Sequence, residues 1–385
     1  MPPTTERDNF TDTIGSPYVE NKFQWANRFR SVVALRGDDE KFVVTSLAYP
    51  TDSVTLPDST TSTVNAANSG SAAKFLPSPK ASLIFDPWAN TEFYLQGGFG
   101  FHSNDGRGAT QTVQPVSPGN PYPYTLNAKI TPLVQTKCRE IGLRTVGIPH
   151  LQSTLALWYL RSNSELLQDG DTGGTSASEQ SSNRYGLEWA NYYTPTEHLA
   201  VDFDISDSRA QFTQIDPGDA AQTLTNSAVT INGISVGSFY AQQSGPGGKL
   251  VPEAVRVVIS SGIALHDYKG LSSSLRLRYF GPRDLTSDGI YQSSQTVLLN
   301  GEVGYQIKKK WHVTAEFLNV LNRKDADIDY AYLYQIAPTA ARGFGRVNHP
   351  AEPFQVRFSI ATSFWLGPLR PSSMRFQTRV SSTLG

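Results

Sequence analysis

Short turns alternate with long polar connections along the whole chain, and this limits its fold more than any other feature. Short turns fall near Ala26-Asn27, Asp86–Asn90, Gly147–Pro149, Pro195–Glu197, Asp267–Gly270 and Lys308–Lys310. Between them run stretches rich in Gly, Ser, Thr, Asn and Pro, at about 49–77, 103–132, 164–183, 208–250, 281–293 and 323–352. A soluble β-sandwich has no reason to sort its loops by length. Outer-membrane barrels do so, with short periplasmic turns and long extracellular loops.

The segments between these connections alternate with period 2. In the stretch from His198 to Ser206, Leu199, Val201, Phe203 and Ile205 share one face; Asp202, Asp204 and Ser206 share the other. Tyr185, Leu187, Trp189 and Tyr193 oppose Arg184, Gly186, Glu188 and Ala190. Phe93, Leu95, Phe99 and Phe101 oppose Gln96, Gly98 and His102, and Ile141 and Leu143 oppose Glu140, Gly142 and Arg144. Many strands read as ~10–14 residues, against about 5–6 in globular proteins and about 9–11 for a tilted membrane crossing. Aromatic residues gather near strand ends (Trp25, Trp88, Tyr94, Trp158, Tyr192, Tyr193, Tyr279, Phe280, Trp311), where interfacial girdles are expected. The count is about 13 strands, whereas a single-chain bacterial barrel has an even number.

Composition narrows the function. Charged residues make up 17% of the chain, below the roughly 25% of soluble domains. The net charge of -1 gives no electrostatic footprint for nucleic acid. Cys138 has no partner cysteine, and the six histidines (His102, His150, His198, His266, His312, His349) show no zinc spacing. No apolar run approaches the ~18 residues of a transmembrane helix. The start, Met1 to Arg7, does not read as a signal peptide.

Two motifs suggest chemistry that their surroundings do not support. Gly233-Ile234-Ser235-Val236-Gly237 has the nucleophile-elbow pattern, but it lies in a loop with no helix pattern after it. Asp325, Asp327 and Asp329 alternate as calcium ligands can. The EF-hand loop also needs Gly and Glu, where Tyr330 and Ile336 stand, so these remain weak metal candidates within an ordinary polar loop. Glu140, Arg144, Glu188, Asp202 and Asp204 are the candidate lumen-facing residues; any wet barrel wall carries such charge. Lys308-Lys309-Lys310 reads as a solvated hairpin tip, and no cofactor site is legible.

Four segments carry a family resemblance. Ser78-Pro79-Lys80-Ala81-Ser82-Leu83, followed by Glu92 to Leu95 and Gly98 to Gly108, resembles the mid-barrel hairpin of TonB-dependent outer-membrane receptors. Phe317-Leu318-Asn319-Val320-Leu321-Asn322-Arg323-Lys324 is similar to that family's asparagine-bearing motif before the final strand. Glu352 to Phe358 resembles the start of the final strand, with Phe364 as terminal aromatic, and Arg28 to Asp38 an earlier strand. The resemblance implies the C-terminal portion of an all-β, antiparallel barrel of about 22 strands. It implies outer-membrane lipid around the barrel and energised uptake of a scarce small ligand, such as a ferric siderophore or other metal chelate, driven by TonB. It implies no enzymatic step.

In this reading 1–17 is a disordered segment, 18–364 the partial barrel, and 365–385 an extension beyond the usual barrel end. The plug and TonB box are not found, so the expectation is a truncated chain that does not transport unaided. The alternatives are a receptor remnant without activity and an outer-membrane barrel esterase or phospholipase using Ser235. A soluble β-sandwich binding module ranks behind these.

Overall fold

The computed structural model describes residues 8–47, 53–55, 61–115, 124–126, 129–168, 175–177, 180–216, 229–231, 234–236, 248–308, 310–334, 336, 343–363 and 377–383. Most of these lie in one sheet. Its strands are β1 (Asp8–Gly15), β2 (Tyr18–Ala26), β3 (Phe29–Ser46), β4 (Gly70–Trp88), β5 (Thr91–Ser103), β6 (Leu133–Thr145), β7 (Leu151–Ser162) and β8 (Ser182–Tyr193). They continue with β9 (Leu199–Asp216), β10 (Gly248–Leu250), β11 (Val257–Tyr268), β12 (Leu271–Phe280), β13 (Thr296–Ile307), β14 (Trp311–Leu318), β15 (Gln355–Ser363) and β16 (Gln377–Thr383). The neighbour order is β1-β3-β4-β5-β6-β7-β8-β9-β11-β12-β13-β14-β15-β16, with β2 on β3 and β10 on β9. This is a meander of antiparallel pairs.

The loop-length alternation read from the sequence is present. Connections of a few residues follow β2, β4, β6, β8, β11 and β13, and long ones follow β3, β5, β7, β9, β12 and β14. In the two-residue turn after β11 Lys269 has φ 55° and Gly270 φ 85°. Two positive φ values in a two-residue loop match the right-handed twist of the flanking strands.

The strands reach further into the polar stretches than their composition shows. β4 starts at Gly70 because Gly70 to Pro77 pair with Val44 to Gly37 of β3. Order also begins earlier than Tyr18. β1 pairs Asp8 with Ser46 and β2 pairs Tyr18 with Arg36, in one continuous register along β3. Pro17 has no N–H to donate and interrupts the strand, but its carbonyl still accepts from Gly37 N at 3.0 Å. Toward the other end β16 pairs with β15, from Arg357↔Thr383 to Ser363↔Gln377. Phe364 and Trp365 lie outside the described residues.

Two compact units divide the chain. The first comprises Met1–Phe85, Tyr94–Glu140 and Tyr159–Asn183, the second Asp86–Phe93, Ile141–Trp158 and Arg184–Gly385. In the first, short helices at Val64–Asn68 and Gly106–Thr110 contact β3. Thr63 and Asp105 cap them by accepting from Ala66 N and Arg107 N. Their small core includes the buried residues Phe42, Val44, Val64 and Ala109. In the second unit, Ala326–Tyr334 and Gly343–Pro350 form a two-stranded ribbon within the connection after β14.

The two faces of the sheet differ in chemistry. In the first unit Phe75 is 60% exposed and Leu95 53%; in the second Ile141 is 55% and Ile263 48%. Removing such a side chain from water is worth about 1.5–3 kcal/mol, so a continuous row of them suits a hydrocarbon surrounding. Trp88, Tyr192, Tyr193 and Trp311 stand exposed beside short turns, as an interfacial girdle requires. Tyr94 and Trp158 do not join that girdle. Tyr94 is buried on the opposite face from Phe93 and Leu95, and Trp158 lies against Gly186. No helix among the described residues is long and apolar enough to cross a membrane.

Candidate functional site

The polar face of the second unit is built by register. Asp202 of β9 pairs with Gly262 of β11, and Gly262 pairs with Arg276 of β12, so the three side-chain positions lie in one row. Arg276 reaches over Gly262 and binds both Asp202 carboxylate oxygens, Nη2 to Oδ1 at 2.8 Å and Nη1 to Oδ2 at 3.1 Å. Its Nη1 also donates to Ser260 Oγ at 3.0 Å. The glycine makes the reach possible: a Cβ there would lie 2.6 Å from Asp202 Oδ1 and 3.0 Å from Arg276 Nη2. Asp204, two residues along the same face, accepts from Asn191 N at 3.3 Å.

The first unit has a similar close approach of a basic side chain to a strand glycine. Lys80 of β4 lies across Gly98 of β5, where a Cβ would meet Lys80 Cγ at 2.7 Å. Beside it Tyr94 donates its hydroxyl to Glu140 at 2.6 Å. Of the other candidates, Arg144 pairs with Glu92 at 3.4 Å near the short turn after β4, and Glu188 stands exposed. The structure therefore places Glu140, Arg144, Asp202 and Asp204 in separate pairs on the sheet, with Tyr94 and Arg276 completing two of them, and leaves Glu188 exposed. Arg276 was legible as the polar member between Leu275 and Leu277.

The asparagine-bearing motif is a structural knot. Asn319 follows β14 with φ 47° and is 3% exposed. Its Nδ2 donates to the carbonyls of Arg323 and Glu352, both at 2.9 Å, and its Oδ1 accepts from Arg323 N at 3.0 Å. Its own N–H donates to Asn300 Oδ1 at 2.9 Å. Both ends of the long connection are thus tied to one amide, which ends the strand pattern that Phe317 and Leu318 begin.

The same knot also holds Asp325, the first of the three metal candidates. Arg323 donates to Asp325 through Nε and Nη2, at 2.8 and 3.1 Å, and Val297 N donates to Asp325 Oδ2 at 2.7 Å. The Arg323 side chain holds the Asp325 carboxyl below the usual carboxylate range; desolvation opposes this and the Val297 N–H adds to it. Asp329 is buried against Arg346, with Nε–Oδ1 at 3.7 Å, while Asp327 is exposed. A register shift between Ala326 and Ile328 breaks the period-2 parity that would have put the three on one face. Among the described residues no group of three His, Cys, Asp or Glu is placed to hold a metal ion. The esterase reading gains no support: Ser235 lies in a short strand opposite Thr230, and Gly233 and Gly237 lie outside the described residues.

Residues 2–322 match the family model for the TonB dependent receptor-like β-barrel. The chain belongs to the TonB-dependent receptor family. No curated protein matches it. Among solved structures it is similar to the ferric-catecholate import receptor Fiu from K12 E. coli, with 16% identity and a TM-score of 0.57, covering 92% of this chain and 45% of that one. It is similar to the ferric yersiniabactin uptake receptor FyuA from Yersinia pestis, with 14% identity and a TM-score of 0.59, covering 97% and 46%. The siderophore receptor PiuA from Acinetobacter baumannii gives 14% and 0.56, covering 91% and 43%. At these identities the likeness establishes the fold. The chain spans less than half the length of these receptors. The family and its structural neighbours are outer-membrane receptors and transporters, so the antiparallel meander and its sorted loops take their meaning from a TonB-dependent barrel.

Proposed function

We propose that this chain forms part of the wall and the loop-side rim of an outer-membrane receptor that takes up a small, scarce ligand, such as a ferric siderophore, through the TonB system. The observation that carries this reading is the sorting of connections: short turns at one end of the meander, long connections at the other. The polar face, with Asp202–Arg276 and Tyr94–Glu140 held flat against the sheet, is the lumenal side in this reading. The apolar face meets lipid.

Orientation in the membrane supplies the test. In a Cys138→Ser background, Ile290→Cys stands in a long connection and Lys269→Cys in a short turn. A membrane-impermeant maleimide applied to intact cells should label the first and spare the second. Labelling of Lys269→Cys in intact cells, or recovery of the chain outside the outer-membrane fraction, would refute the assignment. Uptake of a radioactive ferric siderophore that depends on both the chain and TonB would then establish transport.

A further inference from the structure

Three cations stand together on the exposed face of the first unit. Gly97 of β5 faces Arg139 of β6, whose Cγ would lie 3.9 Å from a Cβ at the glycine. Lys137, two residues along the same face, holds its ammonium 5.6 Å from the centre of the Phe99 ring. Asn163 N donates to Gln135 O at 3.1 Å, which sets β7 against β6. Counting two residues inward along each strand from that bond brings Arg161 opposite Lys137, and two more bring Tyr159 opposite Arg139. Lys137, Arg139 and Arg161 are all exposed, and none of them forms an ion pair among the described residues. Glu140 lies on the other face, bound by Tyr94.

Their height on the sheet selects the partner. Phe99 stands nine residues beyond Asn90 of the short turn, and Arg161 is the eleventh of the 12 residues of β7. About 9–11 tilted residues cross a bilayer. The cations therefore lie at the border of the apolar band farthest from the short turns. Toward those turns the same face carries Leu83, Phe85 and Leu95, all exposed. A long cationic side chain at such a border covers apolar surface with its stem and lifts its charge to the headgroup level. Arginine there meets phosphate through two parallel N–H groups. A soluble anion matches the cations alone; an occupant that matches both zones is amphiphilic.

We infer that Lys137, Arg139 and Arg161 form a docking patch for a phosphorylated lipid of the surrounding leaflet. Its phosphate meets the three cations, and its acyl chains lie along the row beside Leu95. Tyr159, whose hydroxyl donates to Asn183 Oδ1 at 2.6 Å, is the aromatic member at the same level. The inference rests on the reading of this face as the lipid side.

Binding of fluorescent bisphosphorylated lipid A to the full chain in neutral-detergent micelles is followed by anisotropy, with phosphatidylcholine as the neutral lipid. Lys137→Gln, Arg139→Gln and Arg161→Gln should each weaken lipid A about fivefold, the effect of one cation near an anionic surface, and the triple variant about a hundredfold. Phosphatidylcholine binding should not change in any of them. Lys22→Gln, which removes an exposed cation from β2, should bind lipid A as the native chain does. Undiminished lipid A binding by the triple variant, or phosphatidylcholine bound as tightly as lipid A, would overturn the patch. Displacement of lipid A by equimolar inorganic phosphate would make the occupant a free anion and overturn the inference as well. Maleimide labelling in intact cells reads orientation separately, so failure of the patch and failure of the receptor reading show in different experiments.

Discussion

Arg276 binds both carboxylate oxygens of Asp202 across an intervening strand, at 2.8 and 3.1 Å, and only Gly262 stands between them. The pair is partly exposed, so its own worth is of order 0.2–1 kcal/mol. The packing beneath it matters more. Gly262→Ala should cost about 1–3 kcal/mol, the usual cost of overpacking, and Asp202→Asn less than about 1 kcal/mol. In the double variant the two costs should not add, because the alanine methyl no longer displaces an ion pair. Urea unfolding of the reconstituted chain reads all three; strict additivity would show that the bridge does not depend on Gly262.

Asn319→Ala should loosen the connection after β14. It strips hydrogen bonds from the Arg323 N–H and from the Arg323 and Glu352 carbonyls, and alanine must also adopt φ 47°. Two or more lost partners imply about 2–4 kcal/mol locally. Tryptic cleavage after Arg323 or Lys324 should accelerate at least about tenfold, at roughly 1.4 kcal/mol per decade. Asn319→Asp keeps the acceptor for Arg323 N and should fall between alanine and the native residue.

Tyr94→Phe should cost about 1.5–3 kcal/mol, the range for a hydrogen bond to a charged group. The phenol is buried and its partner Glu140 loses a 2.6 Å bond. Equal stability of the phenylalanine variant in urea unfolding would mean that water replaces the hydroxyl without loss.

Two loop carboxyls should respond to pH in opposite ways. Asp325 is lowered by Arg323, so its stabilisation is complete above the unfolded carboxylate value of about 4. It is lost as pH falls through the still lower folded value. Glu253 is raised by burial, against the opposing pull of Arg283. Its contribution is present below the unfolded value and lost as pH rises through the folded one. Glu253→Gln should therefore stabilise the chain at neutral pH and give no gain near pH 3, whereas Asp325→Asn should weaken it at neutral pH; thermal unfolding across pH checks both.

The meander was legible because parity and turn chemistry agree. Ser274 to Tyr279 alternates residue by residue, and Lys269-Gly270 closes the hairpin before it. Tyr94 could also have been assigned inward, since it falls between Phe93 and Leu95. What stayed hidden depends on partners distant in sequence. Gly70 to Pro77 has no alternation of its own and becomes strand because β3 offers it an edge. The bulge at Asp327 moves one residue out of phase, which no pattern of aspartates announces.

The side chains laid over Gly98 and Gly262 have a consequence for the proposed receptor. A lysine or arginine projecting straight out would occupy several ångströms of clearance and offer a bare charge to grip a passing solute. Laid along the wall, Arg276 is already matched to its counter-ion, and Lys80 rests on the sheet. If this face lines a lumen, it would be wet yet shallow, and around Arg276 it would give a moving anion few places to stick.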